Sequence, residues 1–265
     1  VPTEYVESSG LEDVTLCLTS VDLELFLTHY DVDVENIDWI GGWKFKATQG
    51  LFKSYIDKWT AIKIKASEEN NLGLRTLAKL MLNALYGKFA LNPNVRSKYP
   101  YLMDGIVKYE MGPKETREPI YIPVGTFITA WARYTTITAA QTLHDRFIYA
   151  DTDSLHLKGL EEPQGIEIHP TKLGAWKHES TFYRARFLRA KSYIEDEFDN
   201  TFYLKDRDLY GTTKLKITCA GMPKSCYPYV NWDNFHPGTD YMGKLRMKHV
   251  EGGIVLVDTP FTIKE

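Results

Sequence analysis

The sequence predicts an α+β protein, and three segments carry that prediction. LRTLAKLMLNALYGKF (74–89) and TFITAWARYTTITAAQTLHD (126–145) place apolar residues at helical spacing over several turns. RFIYADTDSLHLKG (146–159) instead alternates, which reads as two strands around a tight Asp-Thr-Asp turn. Taken in order, residues 11–30 read as a strand, a turn and a short helix opened by Ser20 as N-cap. From Leu51 to about Lys65 the positions Leu51, Tyr55, Trp59 and Ile62 fit one helical face, and SEENNLG (67–73) is a polar break. Asn92 and Pro93 end the helix that follows, and 94–117 reads as a turn-rich hairpin. Mixed elements run to about Thr218, and the segment from Ala220 onward is strand-rich with Pro and Gly punctuation.

Composition bounds what this chain can be. With 265 residues, 43% hydrophobic and 25% charged, it can bury one large core or two modest ones. No apolar run approaches the roughly 20 residues of a membrane span, and VPTEYVESSG lacks the regions of a signal peptide. The expectation is a soluble, cytoplasmic piece of a longer product. Cys17, Cys219 and Cys226 show no CxxC spacing, so reduced thiols are expected rather than disulfides or zinc. The formal charge of −3 argues weakly against nucleic acid, but it averages over clusters. Lys44, Lys46, Lys53, Lys58, Lys63 and Lys65 face only Asp57 across 43–65, and further basic runs lie at 184–191 and 244–249. A lysine stripe taken alone is more often a plain solvated face.

The chemistry concentrates at Tyr149-Ala150-Asp151-Thr152-Asp153-Ser154. Two carboxylates two residues apart at a hairpin tip should point to roughly the same side. Anions that close suit magnesium, which takes one or two protein carboxylates and completes its shell with water and phosphate; two-metal phosphoryl transfer needs such ligands. A bare DxD is usually only a solvated turn. On the helix at 74–89, Arg75, Lys79, Asn83 and Tyr86 share a face beside an apolar stripe of Leu74, Leu77, Met81 and Leu85. Cation, amide and phenol in one row suit a nucleotide's phosphates and base, although an amphipathic surface helix has the same pattern. Lys191-Ser192-Tyr193 could grip a backbone phosphate, and Thr129 and Arg133 lie four apart on the third long helix. No HExxH, Gly-x-Ser-x-Gly or Walker loop occurs, which removes support for hydrolase and P-loop readings.

In order, KLMLNALYGKF (79–89), TFITAWARYTTITAAQ (126–141), IYADTDSLHL (148–157) and KSY (191–193) resemble the signatures of family B DNA polymerases, in detail the protein-primed branch of Bacillus phage φ29 type. The similarity runs nearly end to end. It implies a right-hand architecture: palm antiparallel sheet with helices, fingers helices and a small β-rich thumb, plus two insertions. Residues 1–50 would be the insertion contacting the priming protein and 51–86 the fingers. The palm would be 87–93 and 118–219, with 94–117 an insertion for processivity and strand displacement and 220–265 the thumb. By the same resemblance Asp151 and Asp153 are catalytic metal ligands for Mg²⁺, with Mn²⁺ as substitute. Lys79, Asn83, Tyr86 and Gly87 match the nucleotide-binding fingers helix, with Lys79 on the incoming triphosphate and Asn83 and Tyr86 at the nascent base pair. Lys63 and Arg75 lie near the triphosphate or priming protein; Arg75 is a lysine in the φ29 type. Thr129, Arg133, Lys191 and Tyr193 contact primer-template DNA. The implied partners are DNA, dNTP, the terminal protein and an N-terminal exonuclease and palm portion, in a virus-encoded protein of the host cytoplasm. Ala150 and Ala84 replace a cysteine and a serine without consequence for the chemistry. The family's first polymerase motif, an aspartate followed by x-x-Ser-Leu-Tyr-Pro, is not in this sequence. The chain alone is therefore expected not to polymerise. A non-catalytic DNA-binding or processivity module is the alternative, and an RNA-templated polymerase fits the helix at 74–89 poorly.

Overall fold

A computed structural model describes residues 15–118, 120–198 and 213–264. The chain divides into two compact units, residues 1–93 with 118–142, and 94–117 with 143–265. The N-terminal part of the expected strand within 11–18 lies outside the described residues, and 15–19 form no strand.

The first unit is helical. Helix α1 (Ser20–His29) is capped by Thr19, whose side chain accepts from the Asp22 amide, and not by Ser20. Either hydroxyl could serve by type; the one with extended backbone is at 19. Helix α2 (Lys53–Glu68) begins after Leu51, which is 61% exposed and so drops out of the expected apolar face. Helix α3 (Leu72–Phe89) is capped by Asn71 and packs on α2, where Ala66 and Ala78 are fully buried and Tyr55 donates to the Met81 carbonyl. The expected stripe shifts accordingly. Leu74 and Leu77 are exposed, while Ala78, Met81, Leu82 and Leu85 turn inward, because small residues let two helices approach closely. Helix α4 (Pro123–Thr142) starts at a proline, as a first helical position favours. A Cβ on Gly125 would sit 3.1 Å from the Phe89 carbonyl oxygen, so the glycine permits the close meeting of α3 and α4.

The second unit is built of antiparallel pairs. The expected hairpin at 94–117 is β1 (Asn94–Met103) with β2 (Ile106–Thr116), turning at Asp104-Gly105 with φ of 54° and 71°. Strands β3 (Phe147–Asp151) and β4 (Ser154–Leu157) form a second two-stranded sheet. Strands β5 (Phe182–Arg189), β6 (Ser192–Phe198) and β7 (Thr213–Cys219) form a three-stranded sheet with β6 central. Strands β8 (Asp240–Val250) and β9 (Gly253–Thr262) complete the unit. One core joins Ile194 and Cys219 to Met222, Cys226, Val230, Phe235, Tyr241, Phe261 and Ile263. It runs without a break across the expected palm–thumb boundary at 219/220. Its dense apolar packing is what makes β6 a rigid base for the site.

Candidate active site

Strands β3 and β4 turn through two residues, with Asp151 paired to Ser154 and only Thr152 and Asp153 between. Asp153 thus stands in the turn and not on a strand. Strand alternation therefore does not set its direction; the turn does. Thr152 has φ of 56°, and the Asp153 amide donates to the Asp151 carbonyl at 2.6 Å, the bond of a three-residue γ-turn. A β-branched residue at positive φ is strained by its Cβ. Such strain persists only where the surroundings hold it, which is common at sites of chemistry. Asp153 is exposed and Asp151 half-buried.

The loop between β5 and β6 supplies the counter-charge. Lys191, also at φ of 56°, places Nζ 2.7 Å from Asp151 Oδ1, and its amide donates to the Tyr149 hydroxyl at 2.8 Å. The Asp151 hydrogen bond and charge hold the Lys191 ammonium above its ordinary pKa. Lys191 and Asp151, expected in different roles, are therefore in direct contact. Tyr193, expected at DNA, is only 7% exposed. Its ring lies 5.4 Å from that of Tyr149 and 5.1 Å from that of Phe187, and burial pushes its phenol up. Behind this cluster His156 Nδ1 meets Glu195 Oε1 at 2.8 Å, and Lys216 pairs with Glu197. The sequence reading passed over His156, Glu195 and Phe187. The one signal for Glu195 was three successive acids, Glu195, Asp196 and Glu197, inside a segment that is otherwise uncharged, SYIEDEF (192–198).

Magnesium suits hard carboxylate oxygens, and the β3–β4 turn carries two carboxylates, of half-buried Asp151 and exposed Asp153. Among the described residues no group of three or more His, Cys, Asp or Glu could hold a metal ion; the candidate set here is the two carboxylates of the turn. The donor types fit the ion; the set is the usual one or two carboxylates that leave room for water and phosphate.

The other expected residues lie in the helical unit. Arg75, Lys79, Asn83 and Tyr86 share an exposed face of α3, with Gly87 half-buried after them, and Lys63 is half-buried on α2. Thr129 donates its hydroxyl to carbonyls of its own helix. Arg133 forms a fork with Asp22 of α1, its Nε and Nη2 at 2.9 and 2.8 Å from the two carboxylate oxygens. Burial raises the Asp22 carboxyl, but bonds from Arg133 and Thr19 outweigh it and leave it below the ordinary range. Much of the basic run at 184–191 is engaged as well. Arg184 binds Asp196 and stacks on Trp232, and Arg186 donates to the carbonyls of Trp232 and Phe235.

Comparison with known proteins identifies the family and the fold. The DNA polymerase of Bacillus phage Nf is 51% identical over 98% of this chain, and that of Bacillus phage phi29 is 50% identical over the same share. The DNA polymerase of Streptococcus phage Cp-1 is 36% identical over 99%. This chain spans 46%, 46% and 44% of those relatives, slightly under half their length. A solved structure of phi29 DNA polymerase complexed with primer-template DNA and incoming nucleotide matches with a TM-score of 0.88 at 50% identity, over 98% of this chain and 46% of that one. The expected right-hand polymerase fold is therefore borne out. Residues 9–169 match a family described as DNA polymerase type B, organellar and viral, and to that family this chain belongs.

Proposed function

We propose that this chain is the C-terminal, polymerising part of a viral protein-primed DNA polymerase. In this reading it supports template-directed nucleotidyl transfer from a dNTP to a primer 3′-hydroxyl or to a priming protein's hydroxyl. One observation carries the proposal. The strained turn bearing Asp151 and Asp153 is braced by Lys191 in a chain half identical to phage DNA polymerases. Asp151 and Asp153 would hold Mg²⁺, or Mn²⁺ in its place, and the bound ion would neutralise charge on the nucleotide's phosphates. Lys79 on the exposed face of α3 contacts the triphosphate, supported by Arg75 and Lys63, while Asn83 and Tyr86 meet the nascent base pair and Gly87 continues the same nucleotide-binding helix. Lys191 steadies the primer terminus and Tyr193 forms the wall behind it. Residues 1–50 contact the priming protein and 94–117 serve processivity and strand displacement. Solved phi29 complexes with primer-template DNA and incoming nucleotide support the DNA and dNTP partners of this reading.

The aspartate of the first polymerase motif is not among the 265 residues. Phosphoryl transfer depends almost wholly on positioning and charge stabilisation, so synthesis by this chain alone is expected to be lower by orders of magnitude. Primer extension with Mg²⁺, with and without a separately supplied N-terminal portion of a phage relative, tests this. Activity of the pair that Asp153→Asn abolishes while DNA binding is kept supports the reading. Activity without the second portion removes the claim of incompleteness. An inactive pair that binds DNA without metal-dependent nucleotide binding favours a non-catalytic processivity module.

A further inference from the structure

Hairpin β3–β4 and sheet β5–β6–β7 share no main-chain ladder. Where Asp151 and Asp153 stand is therefore decided by side chains that bridge the two sheets. Alternation on β6 sorts them: Ile194 faces the apolar core, and Tyr193 and Glu195 face the hairpin. Among the described residues, three polar links across the gap fix the hairpin. Lys191 Nζ uses an oxygen of Asp151 itself, and the Lys191 amide holds Tyr149 at 2.8 Å. The third, His156 to Glu195, lies away from the carboxylates, with side chains 11% and 2% exposed. His156 is the cross-strand partner of Tyr149, two residues before Asp151 in β3, so a tilt of this pair carries directly to the turn. Rings of Phe187 and Tyr193 enclose His156 at 5.3 and 5.1 Å.

We infer that His156 and Glu195 form the positioning couple that holds the metal-ligand turn in place on the palm sheet. An ionised carboxylate can only accept, so Nδ1 of His156 carries the proton toward Glu195 Oε1. Glu195 Oε2 has no hydrogen-bond partner, and Lys216 Nζ, from the neighbouring β7, lies 3.9 Å away. Glu195 thus has one directional bond, and it goes to the hairpin. Groups bonded directly to a metal ligand typically change metal affinity by about 10–100-fold when removed; this couple acts one step further out, through the hairpin, so the low end of that range applies. The inference rests on the metal reading of Asp151 and Asp153 and names what keeps them in register.

The test uses the 265-residue chain, with Mn²⁺ titrated by electron paramagnetic resonance and amide exchange read over residues 148–156. His156→Leu should weaken Asp153-dependent Mn²⁺ binding about 10-fold and speed exchange in the hairpin. His156→Gln, which keeps an N–H for Glu195, should recover most of both. Met222→Ala, in the core on the other face of β6, should lower the melting temperature and leave Mn²⁺ affinity alone. Glu195→Gln repeats the test without a cavity and should move both readouts in the same direction, by less. A folded His156→Leu or Glu195→Gln protein with wild-type exchange and wild-type Mn²⁺ affinity overturns the inference. If the unmodified chain shows no Asp153-dependent Mn²⁺ binding, the metal reading fails instead, and hairpin exchange alone decides the couple.

Discussion

Arg133→Gln separates two roles for one residue. The fork to Asp22 has two charge-assisted bonds at 2.9 and 2.8 Å, with side chains 51% and 16% exposed for Arg133 and Asp22. Charged hydrogen bonds contribute roughly 1.5–3 kcal/mol, and half-exposure of the guanidinium discounts this toward the roughly 1 kcal/mol of good surface pairs. Loss of about 1–2 kcal/mol from the docking of α1 corresponds to roughly 5–30-fold faster amide exchange in that helix. Asp22→Asn should act similarly, and the double-mutant cycle should return a coupling near 1 kcal/mol. The sign with pH follows from the lowered Asp22 carboxyl. Its contribution is complete above the unfolded value of about 3.9 and fades as pH falls through the lower folded value, where wild type and Asp22→Asn converge. Exchange mass spectrometry on 19–30 and an acid titration by circular dichroism read these effects. Unchanged α1 exchange in Arg133→Gln, with a DNA-binding salt slope shallower by about one phosphate, would refute the fork and return Arg133 to the nucleic acid.

Lys191→Met removes the cation beside Asp151, so the chain's Mn²⁺ affinity should rise several-fold while primer-template binding weakens. Spin-resonance titration and fluorescence anisotropy check the two, and an unchanged Mn²⁺ affinity would mean that Lys191 does not compete for Asp151. Gly125→Val should destabilise the helical unit by about 1–3 kcal/mol, since its Cβ would meet the Phe89 backbone at 3.1 and 3.2 Å. A thermal melt within experimental error of wild type would show that α3 and α4 can separate there at no cost. Asp153→Asn should abolish synthesis by a reconstituted pair, and retained activity would remove its role as a ligand.

Local pattern made several elements legible. The alternation around Asp-Thr-Asp, the Asp-Gly tip of the hairpin at 94–117 and the helical spacing of 74–89 and 126–141 each depend on neighbours in the chain. So does the row Arg75, Lys79, Asn83 and Tyr86, which shares a face wherever that segment is helical. Long-range partners are different. That Arg133 meets Asp22, that Lys191 meets Asp151, and that His156 meets Glu195 depends on which surfaces pack, and each joins positions far apart in the chain. Leu74 and Leu77 show the same limit from the other side. Amphipathic spacing says that a face will be buried, while Ala66 and Ala78, small enough to bring α2 and α3 close, decide which one. The chain's order of residues thus settles the menu of elements and the chemistry they carry. Tertiary packing alone settles the pairings, because the largely buried partners Asp22, Asp151 and Glu195 lose much of their water on folding and are served by whichever donor packing brings beside them.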